Sequence, residues 1–148
     1  MLLIDHGAAI AGLCFIDNLL DAALLAMGHE RAPGEVFNVS DGIDVTWRAF
    51  CDDLSAGLGI SRARLSLPSR AAGGIAITLE HGYRLLHRRT GLTTRPLLSR
   101  QAVQVLGRNQ DFSNRKARET LGWEPRTGYT AGLDATLAWL RSEHLEHV

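Results

Sequence analysis

The sequence predicts an α/β fold, because short apolar runs of strand length alternate with segments of helical period and the junctions between them carry glycine, proline or capping residues. Met1–Ile4 opens the chain as an apolar strand, Leu13–Ile16 reads as a second, and Glu35–Val39 as a third, closed by the turn Ser40-Asp41-Gly42 and expected to be central in its sheet. Asp17 is placed to cap a helix over 19–27 that is apolar almost all round, hence expected to be buried on several sides, and that ends at Gly28. Thr46 is an N-cap for a helix with Trp47, Phe50, Cys51, Leu54 and Leu58 on one face and Gly59 as its stop. Ala63–Leu67 is a short strand before Pro68, and helices over 71–89 and 98–107 flank a loop over 91–96. Ser113 then caps a short helix ending at Leu121 and Gly122, and Thr130 opens a last helix aligned on Leu133, Leu137 and Leu140 that frays from His144.

With 148 residues, 45% of them hydrophobic, the chain is long enough for one unit with a real core. Sixteen basic and sixteen acidic side chains cancel and are scattered, which argues against a nucleic-acid partner. Fifteen of the basic residues are arginine, so every lysine role falls on Lys116. Cys14 and Cys51 lie in apolar stretches and make neither a disulfide framework nor a CxxC site, which suits a reducing cytoplasm. The longest weakly polar run, 71–79, is well short of the roughly 20 apolar residues of a membrane span. None of the six histidines forms a His-x-x-x-His pair, and no metal site is expected.

Three segments together carry a family likeness. Leu13–Ala26 is similar to a strand, aspartate and helix pattern, hydrophobic-V-D-D/N-hydrophobic-x-x-A. Pro33–Gly42, followed by Val45, Thr46 and Trp47, is similar to GEVYNVGDGxxVS. Asp111–Pro125, with Gly132, Leu133, Trp139 and Leu140, is similar to a closing signature D-x-S-K-A-R-x-x-L-G-W/Y-x-P…GL…T…W. In this order they resemble the second half of the extended short-chain dehydrogenases of the NAD-dependent epimerase/dehydratase family, and the likeness covers nearly the whole chain. It implies a partial Rossmann-type sheet, its last strands, with a mostly helical C-terminal substrate-binding lobe over residues 1–148, without a complete N-terminal dinucleotide-binding domain. Most of these motif residues also have a purely structural use: Asp111 and Ser113 at helix-start amides, Gly122 as a C-cap, Trp123 as a filler and Pro125 as a redirector.

The intact family uses NAD or NADP, yet the fifteen glycines nowhere give GxGxxG or GxxGxxG, the turn that lets a backbone approach a pyrophosphate. The family's proton-transferring Tyr-x-x-x-Lys pair is also missing: Phe112 stands four residues before Lys116, and neither Tyr83 nor Tyr129 has a lysine four residues on. No catalytic, cofactor-binding or metal residue is therefore assigned, the substrate-binding residues are left unknown, and the chain alone is expected to bind no dinucleotide and to be inactive.

The resemblance to sugar-nucleotide epimerases within that family implies an arginine clamp for a diphosphate substrate near Ile10 and in Arg100–Asn109, and neither region has that form. The apolar segment 97–106 resembles the hydroxysteroid-dehydrogenase branch, where an apolar wall suits a hydrophobic alcohol or ketone. Expected partners are such a substrate and a complementary Rossmann half or a second copy. A non-catalytic binding module, or a gene remnant, is the alternative.

Overall fold

The computed structural model describes residues 2–62, 65–75, 78 and 99–144. β1 (Leu2–Ile4) pairs in parallel with β2 (Leu65–Leu67), in the register Leu2 with Leu65, Leu3 with Ser66 and Ile4 with Leu67. Side chains alternate across a strand, and β1 uses both faces. Leu3 packs with Cys51, Trp47 and Phe50, whereas Ile4 packs with Ala72, Val103, Leu67 and Leu106. β1 runs into a tight turn in which Asp5, His6 and Gly7 are all left-handed, with φ of 44, 58 and 72°. Each non-glycine residue so placed costs about 1–2 kcal/mol. Side-chain bonds offset this: Asp5 Oδ1 accepts from Ser69 N at 2.8 Å, Ser66 Oγ accepts from His6 N at 2.8 Å, and Arg48 Nε donates to His6 O at 3.0 Å.

The helices are α1 (Ile16–Gly28), α2 (Trp47–Leu58), α3 (Arg100–Leu106), α4 (Arg115–Leu121) and α5 (Tyr129–His144), and residues 69–75 are also helical. α2 has the expected ends: Thr46 Oγ1 accepts from Ala49 N at 3.2 Å, and Gly59 closes it at φ 68°. α2 packs on α5, and there Gly57 has a specific use. A Cβ at Gly57 would stand 2.2 Å from Leu137 Cδ1, so its hydrogen lets the two helices approach. Ser113 Oγ accepts from Arg115 N at the start of α4, and Gly122 ends α4 at φ 66°. α5 begins one residue before Thr130, and Leu137 is its buried anchor.

Buried polar atoms join α1 to three loops. Asn18, 1% exposed, donates through Nδ2 to Asp41 Oδ1 at 2.7 Å and to Thr127 O at 2.9 Å, while its Oδ1 accepts from Arg126 N and Thr127 N, both at 2.9 Å. Trp123 Nε1 donates to Asn18 O at 2.9 Å, and Asp41 Oδ2 accepts from Phe15 N at 2.8 Å. Each side-chain polar atom of Asn18 and Asp41 in this group has a partner.

Several expectations are corrected. Asp17 does not cap α1: it lies in the first turn, Phe15 is the N-cap residue, and Asp41 from a distant loop takes the Phe15 amide instead. Leu13–Ile16 forms no strand, because helix begins at Ile16 and the strand-like pairing falls earlier, at the isolated bridge between Ile10 and Thr46. Residues 35–39 form no strand either, since among the described residues no neighbouring chain supplies a ladder to their backbone. α1 is not buried on several sides: its buried residues are Asn18 and Ala22, while Leu20, Leu24 and Met27 are more than half exposed. The strand over 63–67 is found at 65–67, and the helix over 98–107 at Arg100–Leu106. Most of the predicted helix over 71–89, and the loop over 91–96, lie outside the described residues.

Two substitutions test this packing. Asn18→Ala strands a carboxylate oxygen, a carbonyl and two amides in a buried site, and urea unfolding should show a loss of about 3 kcal/mol or more. Gly57→Ala gains helix propensity of about 1 kcal/mol but meets Leu137, which is 6% exposed and cannot swing into solvent, so it should be net destabilising by about 1–3 kcal/mol in the same assay.

Candidate functional site

A cleft forms where segment 9–13, segment 37–44 and the end of α3 with its following loop meet. Backbone bonds set its walls: Ala11 N donates to Val45 O at 2.9 Å, Trp47 N to Ala9 O at 3.0 Å, and Gln110 N to Ile10 O at 3.0 Å. Asn109 Oδ1 accepts from Ile10 N at 3.0 Å, and Asn114 Nδ2 donates to Ser40 O at 2.8 Å. Gly12, at φ 63°, lies against Gln110 so closely that a Cβ would stand 2.3 Å from its carbonyl oxygen. Only glycine permits both that φ and that approach.

The cleft consists of two adjoining recesses of about 390 and 250 Å³ that share Gly12, Ser40, Gln110 and Phe112. Phe37, Val39, Trp47, Val105 and Phe112 make the larger one mainly apolar. Asp44, Asp111 and Asn114 make the smaller one polar and acidic. The indole N–H of Trp47 is buried and, among the described residues, makes no hydrogen bond.

The apolar wall read over 97–106 is mostly core. Val103 is 8% exposed and packs with Ile4 and Ala72, Leu106 joins the same cluster, and Val105 is the member of α3 that lines the cleft; residues 97 and 98 lie outside the described residues. Periodicity marked α3 as apolar but could not tell which turn faces the core and which the cleft. Trp47, on the apolar face of α2, and Phe112, four residues before Lys116, both line the cleft.

A smaller recess of about 160 Å³ is lined by Leu13, Cys14, Phe15, Asp41, Phe50, Tyr129 and Leu133. Burial first, and then the Asp41 carboxylate, pushes the Cys14 thiol up to about 11. Tyr129 donates through its hydroxyl to Asp53 Oδ2 at 2.7 Å, and burial with that carboxylate raises its phenol well above the ordinary tyrosine range. Lys116 is paired with Glu35 at 2.5 Å and lies 5.3 Å over the Phe37 ring, so its ammonium ties α4 to segment 35–37. Among the described residues no three His, Cys, Asp or Glu side chains cluster as metal ligands, and no helix is long and apolar enough to cross a membrane.

Gly7 and Gly12, the left-handed glycines that follow β1, are closed to a dinucleotide's phosphates. The turn after β1 carries Gly7, but a Cβ there would stand 2.8 Å from Arg48 N, so this glycine is filled by α2 rather than open to phosphate oxygens. Gly12 is likewise filled by Gln110. Gly128, at the start of α5, is open, yet it borders the recess that holds the Asp41 carboxylate, which repels an anion.

No family model matches the sequence. It is 35% identical over 133 residues to the 4-hydroxy-2-methyl-3-oxo-4-farnesyl-3,4-dihydroquinoline-1-oxide ketoreductase of Stigmatella aurantiaca, covering 89% of this chain and 38% of that one. It is 37% identical over 117 residues to short-chain dehydrogenase/reductase family 42E member 1 of Danio rerio, covering 75% and 30%. To the 3β-hydroxysteroid-dehydrogenase/decarboxylase isoform 1 of Arabidopsis thaliana it is 26% identical over 143 residues, covering 91% and 32%. The crystal structure of gox2253 shares the fold at a TM-score of 0.55 and 23% identity, over 86% of this chain and 36% of that one. The chain is thus homologous to part of the short-chain dehydrogenases/reductases. Within them it is similar to ketoreductase and 3β-hydroxysteroid dehydrogenase members, and it spans roughly a third of the length of these curated relatives.

The Cys14 environment has a measurable consequence. A thiol whose pKa rises from 9.0 to about 11 is nearly all protonated at pH 8, so iodoacetamide should alkylate Cys14 in a Cys51→Ala background several-fold more slowly than a free cysteine, with a rate that climbs toward pH 11. The linkage has the same sign: both states are protonated below pH 9, the unfolded thiol ionises first, and stability should fall between pH 9 and 11.

Proposed function

We propose that the chain is the substrate-binding, C-terminal portion of an NAD(P)-dependent oxidoreductase of the 3β-hydroxysteroid dehydrogenase type, and that its cleft takes a hydrophobic alcohol or ketone. The observation that carries this reading is the mainly apolar recess walled by Phe37, Val39, Val105 and Phe112, adjoined by a polar one at Ser40 and Gln110. The Stigmatella aurantiaca and Arabidopsis thaliana relatives, named for a farnesylated oxo-quinoline and for a 3β-hydroxysteroid, support a large apolar ligand with an oxygen function.

In this reading the residues of the chain bind and orient. The recess excludes water from the ligand body, and Gln110 and Ser40 border the polar end, where its oxygen lies. A bound nicotinamide would supply hydride chemistry in the intact family, but neither its phosphate cradle nor the tyrosine–lysine pair is found in these residues, so no chemical step is assigned to them. The chain by itself acts as a binder.

Titration with a 3-oxo steroid, followed by tryptophan fluorescence, should give saturable quenching. Phe112→Asp, which places a charge in the apolar wall, should abolish it. NADH and NADPH should not bind at the same protein concentration. Tight one-to-one dinucleotide binding, or turnover of an alcohol or ketone by the chain alone, defeats the reading.

A further inference from the structure

The part of the cleft wall formed by residues 37–40 is held by side chains. All four residues line the larger recess. Among the described residues, no backbone–backbone hydrogen bond joins 36–39 to another segment, so this stretch lacks the restraint that a ladder gives a strand. Phe37 and Val39 rest on Ala22, Ala117, Leu121 and Trp123, which fixes the inner face of the segment and leaves its ends to other contacts. Residues 112–116 reach both ends. At one, Asn114 Nδ2 donates to Ser40 O at 2.8 Å and Ser40 Oγ donates to Phe112 O at 3.3 Å. At the other, Lys116 pairs with Glu35 and lies over the Phe37 ring.

The two ends differ in kind. The Ser40 contacts are neutral and hold a polar residue at the rim, whereas Lys116 acts on a side chain of the apolar wall itself. Its ammonium is shared between a carboxylate two residues before Phe37 and the ring of Phe37, 5.3 Å from the centroid. That separation lies inside the reach of a cation–π attraction. The next residue of α4, Ala117, is fully buried in the cluster on which Phe37 rests, so ring and ammonium are anchored to the same helix. The Lys116 hydrogen bond, and then its charge, holds the Glu35 carboxyl below its usual range, and both partners are ionised at neutral pH. A half-exposed pair of this kind adds little to stability, and its use is to fix where a ring stands.

We propose that Lys116 is a positioning residue of the cleft: its ammonium, tied to Glu35, holds the Phe37 ring as a fixed part of the apolar wall and thereby sets how tightly the recess grips an apolar ligand. The effect on affinity rests on the ligand reading above, while the hold on Phe37 does not. A wall side chain that must be ordered when the ligand arrives costs affinity, and one ordered beforehand does not. Lys116 itself lines neither recess of the cleft, so it acts through Phe37 and not on the ligand.

The test compares three variants. Lys116→Met keeps an unbranched apolar stem and deletes the charge, Lys116→Arg keeps the charge, and Arg115→Met removes the neighbouring cation of α4, whose printed ionic contact is Glu119 on its own helix. The first readout is the ring signals of the chain labelled with ¹³C-phenylalanine, with Phe37 assigned from Phe37→Leu. In Lys116→Met the Phe37 signals should broaden while those of Phe15 and Phe50 keep their widths, and in Lys116→Arg and Arg115→Met all should stay sharp. The second readout is the affinity for the 3-oxo steroid, which should fall about two- to fivefold in Lys116→Met, the worth of one exposed cation–π contact, and recover in Lys116→Arg. Sharp Phe37 signals in Lys116→Met, an affinity unchanged by that substitution, or an equal loss in Arg115→Met overturns the proposal. A Lys116→Met chain that does not fold also overturns it, because it assigns the lysine to stability. If the steroid does not bind the unsubstituted chain, the ligand reading falls and the Phe37 signals alone decide whether Lys116 holds the wall.

Discussion

The fold turns on one buried amide. Asn18 has two donors and an acceptor oxygen, and it uses them to fix Asp41, Thr127 and Arg126 around the first turn of α1, while its own carbonyl takes the Trp123 indole. Asp41, held by Asn18, in turn accepts the Phe15 amide and so acts in trans as the cap that α1 lacks locally. A buried network of this kind is costly when any member is missing and specific when all are satisfied. It explains why three segments distant in sequence, around residues 18, 41 and 126, come to one place. The family likeness falls on these segments, and their first use is architectural.

α2 and α5 meet through Gly57 and Leu137, and Tyr129 of α5 is bonded to Asp53 of α2. The cleft is walled by other segments, Phe37, Val105 and Phe112 among them, and α1 keeps Leu20, Leu24 and Met27 more than half exposed. The chain spans about a third of the length of the curated relatives it matches.

The lone lysine shows how position decides chemistry. In the resemblance a lysine works beside a tyrosine, but here Lys116 is spent on Glu35 and the Phe37 ring, and both tethered residues belong to the segment that leads into the cleft. Its ammonium is half exposed, so the pair contributes to position more than to stability. Phe112, four residues earlier, contributes area to the cleft wall rather than a proton.

Local chemistry was legible in the sequence wherever neighbours in the chain complete it. Thr46 and Gly59 bound α2, Gly122 ends α4, β1 and β2 appear where apolar runs meet turns, and the absent glycine-rich turn and Tyr-x-x-x-Lys pair are facts of the residues themselves. Tertiary structure alone decided the rest. Asp17, next to the helix start, is the locally reasonable cap, but Asp41 reaches that amide across 26 positions. An apolar run at 35–39 has strand composition, but a ladder needs a second backbone, and composition cannot supply one. The apolar residues of α1 and α3 are identical in kind, yet Val103 is core, Val105 lines a cleft and Leu24 faces solvent. The sequence determined which groups could be buried or capped, and contact between distant segments determined which were, because burial is a property of neighbours brought together in space.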